Sequence, residues 1–126
     1  MSIIKVIIPA YNEENAIANV IAEIPSLVDE IIVISNNSTD KTEEVAKNAG
    51  ATVLLETRKG YGYACLKGMK FISELEIKPD IIVFLDGDYS DYPEELTKLI
   101  EPIIFIPAIT VPLTVPETFE TPIRFL

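Results

Sequence analysis

Two aspartates separated by one glycine, Asp86 and Asp88, are the residues of this sequence best suited to chemistry. They directly follow residues 80–85, an apolar run with the composition of a buried strand. On such a turn both carboxylates can reach one divalent cation, or one can bind the cation while the other accepts from a ribose hydroxyl. Gly87 would allow the backbone to come close to the ligand. The alternative is an ordinary solvated turn, in which aspartate and glycine are common.

A second polar loop follows the apolar run near the amino terminus and contains Pro9, Tyr11 and Glu13. The Tyr11 ring could lie along a nucleobase, and the Glu13 carboxylate could accept hydrogen bonds from ribose hydroxyls or from a base N–H. The same loop also fits a simple helix start, with Asn12 as the N-cap and with Glu13 and Glu14 in the first turn. Both interpretations stay open on these residues alone.

Residues 35–40 form a third polar loop, made of short side chains that follow another apolar run. The alternative to a binding role is a turn that caps the next helix, with Asp40 and Glu43 as a capping box. That turn accounts for residues 38–40 without any ligand. Asn36 is therefore the best candidate in this loop for ligand contact.

A fourth loop carries two cations, Arg58 and Lys59, directly before Gly60-Tyr61-Gly62. Cations at this point would face a diphosphate, and the glycines would let the backbone approach it. The spacing matches neither a dinucleotide-binding fingerprint nor a P-loop. A flexible surface loop is the alternative.

The elements that must position these loops alternate along the first hundred residues. Apolar runs predict strands at residues 3–8, 30–35, 51–56 and 80–85. Helical spacing and caps predict a helix after each strand: from Asn12, from Asp40 to a stop at Gly50, through Ala64, Leu66, Met69, Phe71 and Ile72, and from Pro93. Such strands indicate an α/β fold, with a mostly parallel sheet covered by helices on both faces. Because ligands bind at the carboxyl ends of parallel strands, the four loops should meet at one site.

The composition excludes several classes of function. A formal charge of −10 leaves no basic stripe for phosphates, so no nucleic-acid partner is expected. The absence of histidine excludes histidine-based triads and histidine-ligated zinc. The single cysteine, Cys65, is expected to be a small core residue in a reducing, cytoplasmic environment. No apolar run reaches the ~20 residues of a membrane helix, so the chain should be at most peripheral at the inner face of a membrane.

Taken together, these loops resemble those of the inverting family 2 glycosyltransferases of the GT-A fold. The resemblance covers about residues 3–102, in the order and spacing of that family, in the segments IIPAYNEENAI, DEIIVISNNSTDKTEEVAKNAGA, ETRKGYGYACLKGM and DIIVFLDGDYSDYPEEL. The segments RKGYGYACLKG and DGDYSDYPEEL look most like those of the polyprenyl-phosphate glycosyltransferases, the dolichyl-phosphate sugar synthases among them.

The resemblance implies transfer of a sugar, with inversion, from a UDP- or GDP-linked donor, and polyprenyl phosphate is one acceptor that it suggests. It also implies that Tyr11 and Glu13 contact the nucleoside, that Asp86 lies by the ribose or diphosphate, and that Asp88 binds Mg²⁺ or Mn²⁺. A catalytic residue cannot be assigned. With the loop residues chosen above, the expected donor-binding set is Pro9, Tyr11, Glu13, Asn36, Arg58 and Asp86, with Asp88 and Asp86 as the metal ligands.

The chain departs from that family in two ways. Ser35 occupies a position where the family usually has an aspartate that helps to read the nucleoside. Members also continue well beyond this length, whereas here a nucleotide-sugar-binding domain at residues 1–102 is followed by an apolar, proline-rich tail at residues 103–126. We expect a domain truncated relative to the family, and a homo-oligomer because the missing acceptor side would expose apolar surface. The alternatives are a nucleotide- and metal-binding module without transferase activity, and a nucleotidyltransferase of similar fold.

Overall fold

The computed structural model describes residues 3–88 and the backbone of residues 123–125. Strands and helices alternate along this part of the chain, as the apolar pattern predicts. The strands are β1 (Ile4–Ala10), β2 (Glu30–Ser35), β3 (Thr52–Leu55), β4 (Ile81–Phe84) and β5 (Ile123–Phe125), and the helices are α1 (Ile17–Glu23), α2 (Thr42–Asn48) and α3 (Tyr61–Ser73).

The described strands form one parallel sheet in the order β3-β2-β1-β4-β5. Strand β1 lies in the middle, and its Val6 is paired with Ile31 on one side and with Val83 on the other. The chain runs outward from β1 through β2 to β3 and then returns to the opposite side of β1 for β4. The expected α/β fold with a parallel sheet is confirmed.

Alternate residues of β1 serve two separate cores, one on each face of the sheet. Val6 and Ile8 are fully buried on the face that is covered by α1 and α2, where they pack in one cluster with Ile17. Ile7 points to the opposite face and packs in a second cluster with Phe84 and with residues of α3. Because successive side chains of a strand alternate between faces, a β-branched run such as this one suits a sheet with helices on both sides.

The sheet is less buried at its β3 edge than the sequence indicates. Strand β3 spans four residues rather than the predicted six, and the Leu55 side chain is exposed. Among the described strands, β3 has a neighbour on one side only, so that its apolar residues are incompletely covered there. Leu66 of α3 is also 51 % exposed, and the buried face of that helix is formed by Ala64, Gly68 and Ile72 instead.

The expected start of α1 at Asn12 is wrong. Helix α1 begins at Ile17, and Asn12 has a left-handed backbone with φ of 51°. The Asn12 side-chain oxygen accepts from the backbone N–H of Thr39 at 2.8 Å, so it is not available to cap its own helix. A turn closed by the Glu13 carbonyl leads into the helix in its place.

The expected ends of α2 are confirmed in part. Asp40 accepts from the backbone N–H of Thr42 at 2.9 Å, but Glu43 does not complete the capping box and accepts from the Ser35 hydroxyl at 3.0 Å. At the other end, Gly50 has φ of 100° and its N–H donates to the Lys47 carbonyl. The next N–H along the chain donates to the Ala46 carbonyl, which completes a Schellman motif.

The remaining expectations about elements fall largely outside the described residues. These are the helix from Pro93 and the division of the chain after residue 102, both of which stay predictions. Residues 123–125 of the tail form a strand that pairs with β4, and β5 is the last of the described strands on that side. Within the part of the chain that the structure describes, no helix is long and apolar enough to cross a membrane.

A lysine on the central strand is satisfied by an ion pair at the amino-terminal end of the sheet. Lys5 is only 13 % exposed, and its Nζ lies 2.5 Å from Oε1 of Glu30, its neighbour on β2. The Thr52 hydroxyl donates to the other Glu30 oxygen at 2.8 Å. Burial alone would raise the pKa of Glu30, but the hydrogen bonds from Lys5 and Thr52 and the charge of Lys5 outweigh it and lower that pKa.

Replacing Lys5 by methionine should therefore destabilise the fold at neutral pH and much less in acid. The substitution leaves a half-buried carboxylate without its cation, which costs about 1–3 kcal/mol in the free energy of unfolding. A carboxyl whose pKa is lowered by folding contributes stability above its ordinary pKa and loses that contribution as the pH falls through the folded value. Urea unfolding of Lys5→Met at pH 7 and pH 3 measures the difference, with Lys5→Met/Glu30→Gln as control. Equal losses at both pH values would contradict the prediction.

Candidate functional site

The predicted meeting of four loops occurs at the carboxyl edge of the sheet. Ala10 at the end of β1 is paired with Ser35 at the end of β2, and the Glu56 N–H donates to the Ser35 carbonyl. On the other side of β1, the Leu85 N–H donates to the Ile7 carbonyl just before the aspartate turn. The chain reverses its direction across the sheet between β1 and β4, which is where ligands bind in open α/β sheets.

The aspartate turn passes directly over the end of β1. A Cβ added at Gly87 would lie 3.3 Å from the Pro9 carbonyl oxygen and 3.4 Å from the Ala10 Cβ. Gly87 is buried, whereas Asp86 and Asp88 on either side of it are exposed. A side chain at this position would crowd the end of β1, so glycine suits the close approach of the two backbone segments that presents both carboxylates at the edge of the sheet.

Several carboxylates share this edge of the sheet. The pKa of the half-buried Glu13 is raised, first by burial and then by the charges of Asp88, Asp86 and Asp40. A carboxylate that is surrounded in this way attracts a cation. Tyr11, two residues before Glu13, is exposed at the rim.

The loop after β1 is fastened to the loop after β2 through backbone N–H groups. Side chains at residues 38–42 accept from three successive N–H groups: Asn12 to the Ser38 hydroxyl at 3.1 Å, Glu13 to the Thr42 hydroxyl at 2.8 Å and Glu14 to the Asp40 carboxylate at 3.3 Å. The short polar residues after β2 thus hold Tyr11 and Glu13 in place. Sequence reasoning assigned residues 38–40 to a local helix cap, because these partners lie 26 to 29 residues away.

Asn36 is engaged by the loop after β3. Its amide nitrogen donates to the carbonyls of Glu56 at 3.0 Å and Arg58 at 2.7 Å, and its amide oxygen accepts from the Gly60 N–H at 3.0 Å. The neighbouring Asn37 donates to the Thr57 carbonyl at 2.9 Å. Contact between Asn36 and a ligand stays a prediction, since both of its N–H groups already have partners within the chain.

Arg58 is held in place by two neighbours. Its guanidinium lies 2.7 Å from Oε1 of Glu56 and 4.6 Å from the centre of the Tyr63 ring. Hydrogen bonds from the Arg58 side chain and backbone, with its positive charge, lower the pKa of Glu56 to about 2. Arg58 nevertheless remains 60 % exposed, so that the guanidinium is accessible at the edge of the sheet. The Glu56 partner was not anticipated from the sequence, although its spacing of two residues is a signal that could have revealed it.

Two other residues considered from the sequence, Ser35 and Cys65, are buried or half-buried. Ser35 is buried, and its hydroxyl donates to Glu43, so it offers no carboxylate where the resemblance expects one. Cys65 is half-buried against the core that α3 covers. Burial raises the pKa of its thiol to about 11, opposed by a hydrogen bond with Tyr61 and assisted by the charge of Asp86. Its expected role as a small core residue is only partly met.

The described carboxylates fit a cation that takes its other ligands from a bound molecule. Within residues 3–88 no group of three or more acidic or cysteine side chains is arranged to hold a metal ion. Two carboxylates, Asp86 and Asp88, are nevertheless close enough to Glu13 to raise its pKa. Mg²⁺ in phosphate-transfer sites commonly takes one or two carboxylates and completes its shell with phosphate oxygens and water. The arrangement is therefore suited to a cation that arrives with a diphosphate.

Comparison with known proteins agrees with this chemistry. The sequence model described as "Glycosyl transferase family 2" matches residues 5–123. The protein RfbJ of Shigella flexneri is 39 % identical over 104 residues, which cover 78 % of this chain and 77 % of RfbJ. The glycosyltransferase AglJ of Haloferax volcanii is 33 % identical over 102 residues, which cover 78 % of this chain and 31 % of AglJ.

Solved structures with the same fold include glucosyl-3-phosphoglycerate synthase from Mycobacterium tuberculosis in complex with Mn²⁺, UDP-glucose and phosphoglyceric acid. The match has a TM-score of 0.74 at 33 % identity and covers 86 % of this chain and 42 % of the synthase. The same synthase has also been solved with Mg²⁺ and UDP. The chain spans less than half the length of this synthase and of AglJ.

Proposed function

Because this chain belongs to glycosyl transferase family 2, we propose that it binds a nucleotide sugar together with Mg²⁺ or Mn²⁺ at the edge between β1 and β4. The observation that carries the proposal is the aspartate turn over the end of β1. It presents Asp86 and Asp88 next to a third carboxylate, Glu13, whose pKa is raised first by burial and then by the crowding of negative charge from Asp88, Asp86 and Asp40. A divalent cation with a diphosphate would relieve that crowding.

Each loop at the edge has a role in this proposal. Tyr11 stacks along the nucleobase, and Glu13 accepts from the nucleoside. Asp86 would lie by the ribose or the diphosphate, and with Asp88 it would hold the cation. Arg58 faces the diphosphate from the other side, since its guanidinium is exposed although paired with Glu56. Pro9 borders the same donor site, because its carbonyl oxygen would lie 3.3 Å from a Cβ added at Gly87.

The proposed reaction is displacement at the anomeric carbon of the sugar, with inversion. The cation, when bound, stabilises the negative charge on the departing nucleoside diphosphate. Arg58 adds to this electrostatic stabilisation from the loop after β3. A hydroxyl acceptor would need a general base, whereas a phosphate acceptor carries an anionic oxygen at neutral pH. We therefore favour polyprenyl phosphate as the acceptor, with the chain peripheral at the cytoplasmic face of a membrane.

A second candidate function is donor binding without transfer. Its support is that the roles proposed for the described loops, from Tyr11 to Asp88, all concern the donor and the cation. We also propose that the chain forms a homo-oligomer. Exposed apolar side chains such as Leu66 and Ile77 support it. The nucleotidyltransferase alternative gains no support from the family match.

Thermal unfolding with a panel of nucleotides tests the proposed function. UDP, GDP and their sugar conjugates are each added with and without Mn²⁺, and ADP serves as control. A ligand at about 100 times its Kd stabilises the folded chain by about 2.7 kcal/mol, which raises Tm by several degrees. We expect a shift for one nucleotide that requires Mn²⁺. No shift with any nucleotide, in a chain that unfolds cooperatively, would refute donor binding.

Transfer is then measured separately with the nucleotide sugar that binds. Formation of a lipid-linked sugar from polyprenyl phosphate would support the transferase. Donor binding with no product from any phosphate acceptor would support the binding module instead. Cross-linking with and without donor reports whether a second copy takes part.

A further inference from the structure

The loop between β3 and α3 is held by two asparagines rather than by the sheet. After the Glu56 N–H, which still donates to β2, the backbone of residues 56–60 makes four hydrogen bonds to side chains of Asn36 and Asn37. The carbonyls of three successive residues, Glu56 to Arg58, accept from the two amides. The path of the loop thus depends on the end of the neighbouring strand.

Asn36 is the side chain that closes this arrangement. Its amide donates to two carbonyls at 3.0 and 2.7 Å and accepts from the Gly60 N–H at 3.0 Å. Both ends of the loop are therefore bound by one planar group. An aspartate at this position would retain the acceptor but would oppose two carbonyl oxygens with a second acceptor. An alanine would leave three backbone groups without these partners.

The loop fixed in this way carries Arg58, an exposed cation of the proposed site. The Arg58 guanidinium is held by Glu56 within the loop and lies over Tyr63, which is in the first turn of α3. Gly60, whose N–H is bound by Asn36, has φ of 128° and directly precedes that helix. Displacing the loop would therefore move both the guanidinium and the start of α3.

We propose that Asn36 is a positioning residue that acts on the donor diphosphate through Arg58, without touching the nucleotide itself. This inference rests on the proposed donor-binding function. It assigns to Asn36 a role different from direct ligand contact, because its amide nitrogen and amide oxygen already form hydrogen bonds with the loop. Because Asn36 holds the backbone of Arg58, substitutions of the two residues should have non-additive effects on nucleotide affinity.

A double-mutant cycle tests the coupling. The affinities of UDP and GDP, each with Mn²⁺, are measured by calorimetry for the wild type, Asn36→Asp, Arg58→Ala and the double variant. We expect Asn36→Asp to weaken binding about tenfold, comparable to the loss of one charge-assisted hydrogen bond. In the Arg58→Ala background the same change should add less than about twofold, since residues that act as a unit are not additive. Asn19→Asp makes the same chemical change on the exposed side of α1 and should have no effect.

Amide hydrogen exchange of the nucleotide-free chain gives a second readout. The Gly60 amide should exchange faster in Asn36→Asp, while amides of β1 keep their protection and so show that the fold is intact. Equal effects of Asn36→Asp with and without Arg58, or unchanged affinity, would overturn the positioning role while leaving the proposed function in place. A wild type that binds neither UDP nor GDP would overturn the proposed function and this inference with it.

Discussion

Replacing Gly68 by alanine is expected to destabilise the chain by about 1–3 kcal/mol, and replacing it by valine to cost more, because both overpack a close helix–strand contact. A Cβ at Gly68 would lie 2.8 Å from Cγ2 and 3.0 Å from Cδ1 of Ile7. Ile7 is fully buried on the central strand, with strands on both sides. Its Cγ2 branches directly from Cβ, so that it moves only if the rotamer or the backbone moves. Either Ile7 must change its rotamer or backbone, or the helix must shift away from the sheet.

Gly62 is the matched control for this prediction. It lies in the first turn of the same helix, and a Cβ there would meet nothing within 4 Å. Gly62→Ala should stabilise the chain by about 0.5–1 kcal/mol through helix propensity alone. Urea unfolding of the two alanine variants measures effects of opposite sign. If Gly68→Ala were stabilised as well, helix propensity rather than contact with Ile7 would dominate at Gly68.

The fold was largely accessible from the sequence where local pattern and global packing agree. The β-branched run of β1 supplies side chains to both faces of the sheet. Each of the strands β1, β2 and β3 is followed by a helix, as the pattern predicts. Gly50 ended α2 as expected, since a positive φ after a helix is a local requirement that glycine meets. The position of the four polar loops at one edge of the sheet followed from the parallel arrangement of the strands alone.

Errors arose where distant partners competed with local ones. Asn12 has the right chemistry for an N-cap, but Thr39 lies close enough to take its side-chain oxygen. Glu43 bonds Ser35 instead of returning to Asp40, for the same reason. Capping rules describe a helix in isolation, whereas at the end of a parallel sheet each loop also has neighbours from adjacent strands. Asn36 shows this most fully, because its partners lie 20 to 24 residues away.

The substitution Asp88→Asn should change the free energy of unfolding in opposite directions without and with ligand. It should stabilise the ligand-free chain slightly and reduce the stabilisation that ligand provides. Without a cation, Asp88 adds to the negative charge around Glu13. Removing it should raise the free energy of unfolding slightly, by up to about 0.5 kcal/mol, since exposed charges interact weakly. With Mn²⁺ and nucleotide, the same substitution removes one of the two proposed metal ligands. At a concentration that gives about 2.7 kcal/mol in the wild type, a 100-fold weaker affinity gives only about 0.4 kcal/mol.

The pH dependence of the metal-free chain provides an independent check on that interpretation. The Glu13 pKa is raised, by burial first and then by Asp88, Asp86 and Asp40. A carboxyl whose pKa is raised on folding holds its proton more tightly in the folded state, so that stability falls as the pH rises through this range. Asp88→Asn should flatten this fall, whereas Glu76→Gln, which removes an equal charge from an exposed residue beyond α3, should not. Thermal unfolding from pH 4 to 7 measures how steeply the stability of each variant falls with pH. If Asp88→Asn instead destabilised the metal-free chain and left the Mn²⁺-dependent shift intact, the carboxylates would serve the turn rather than a cation.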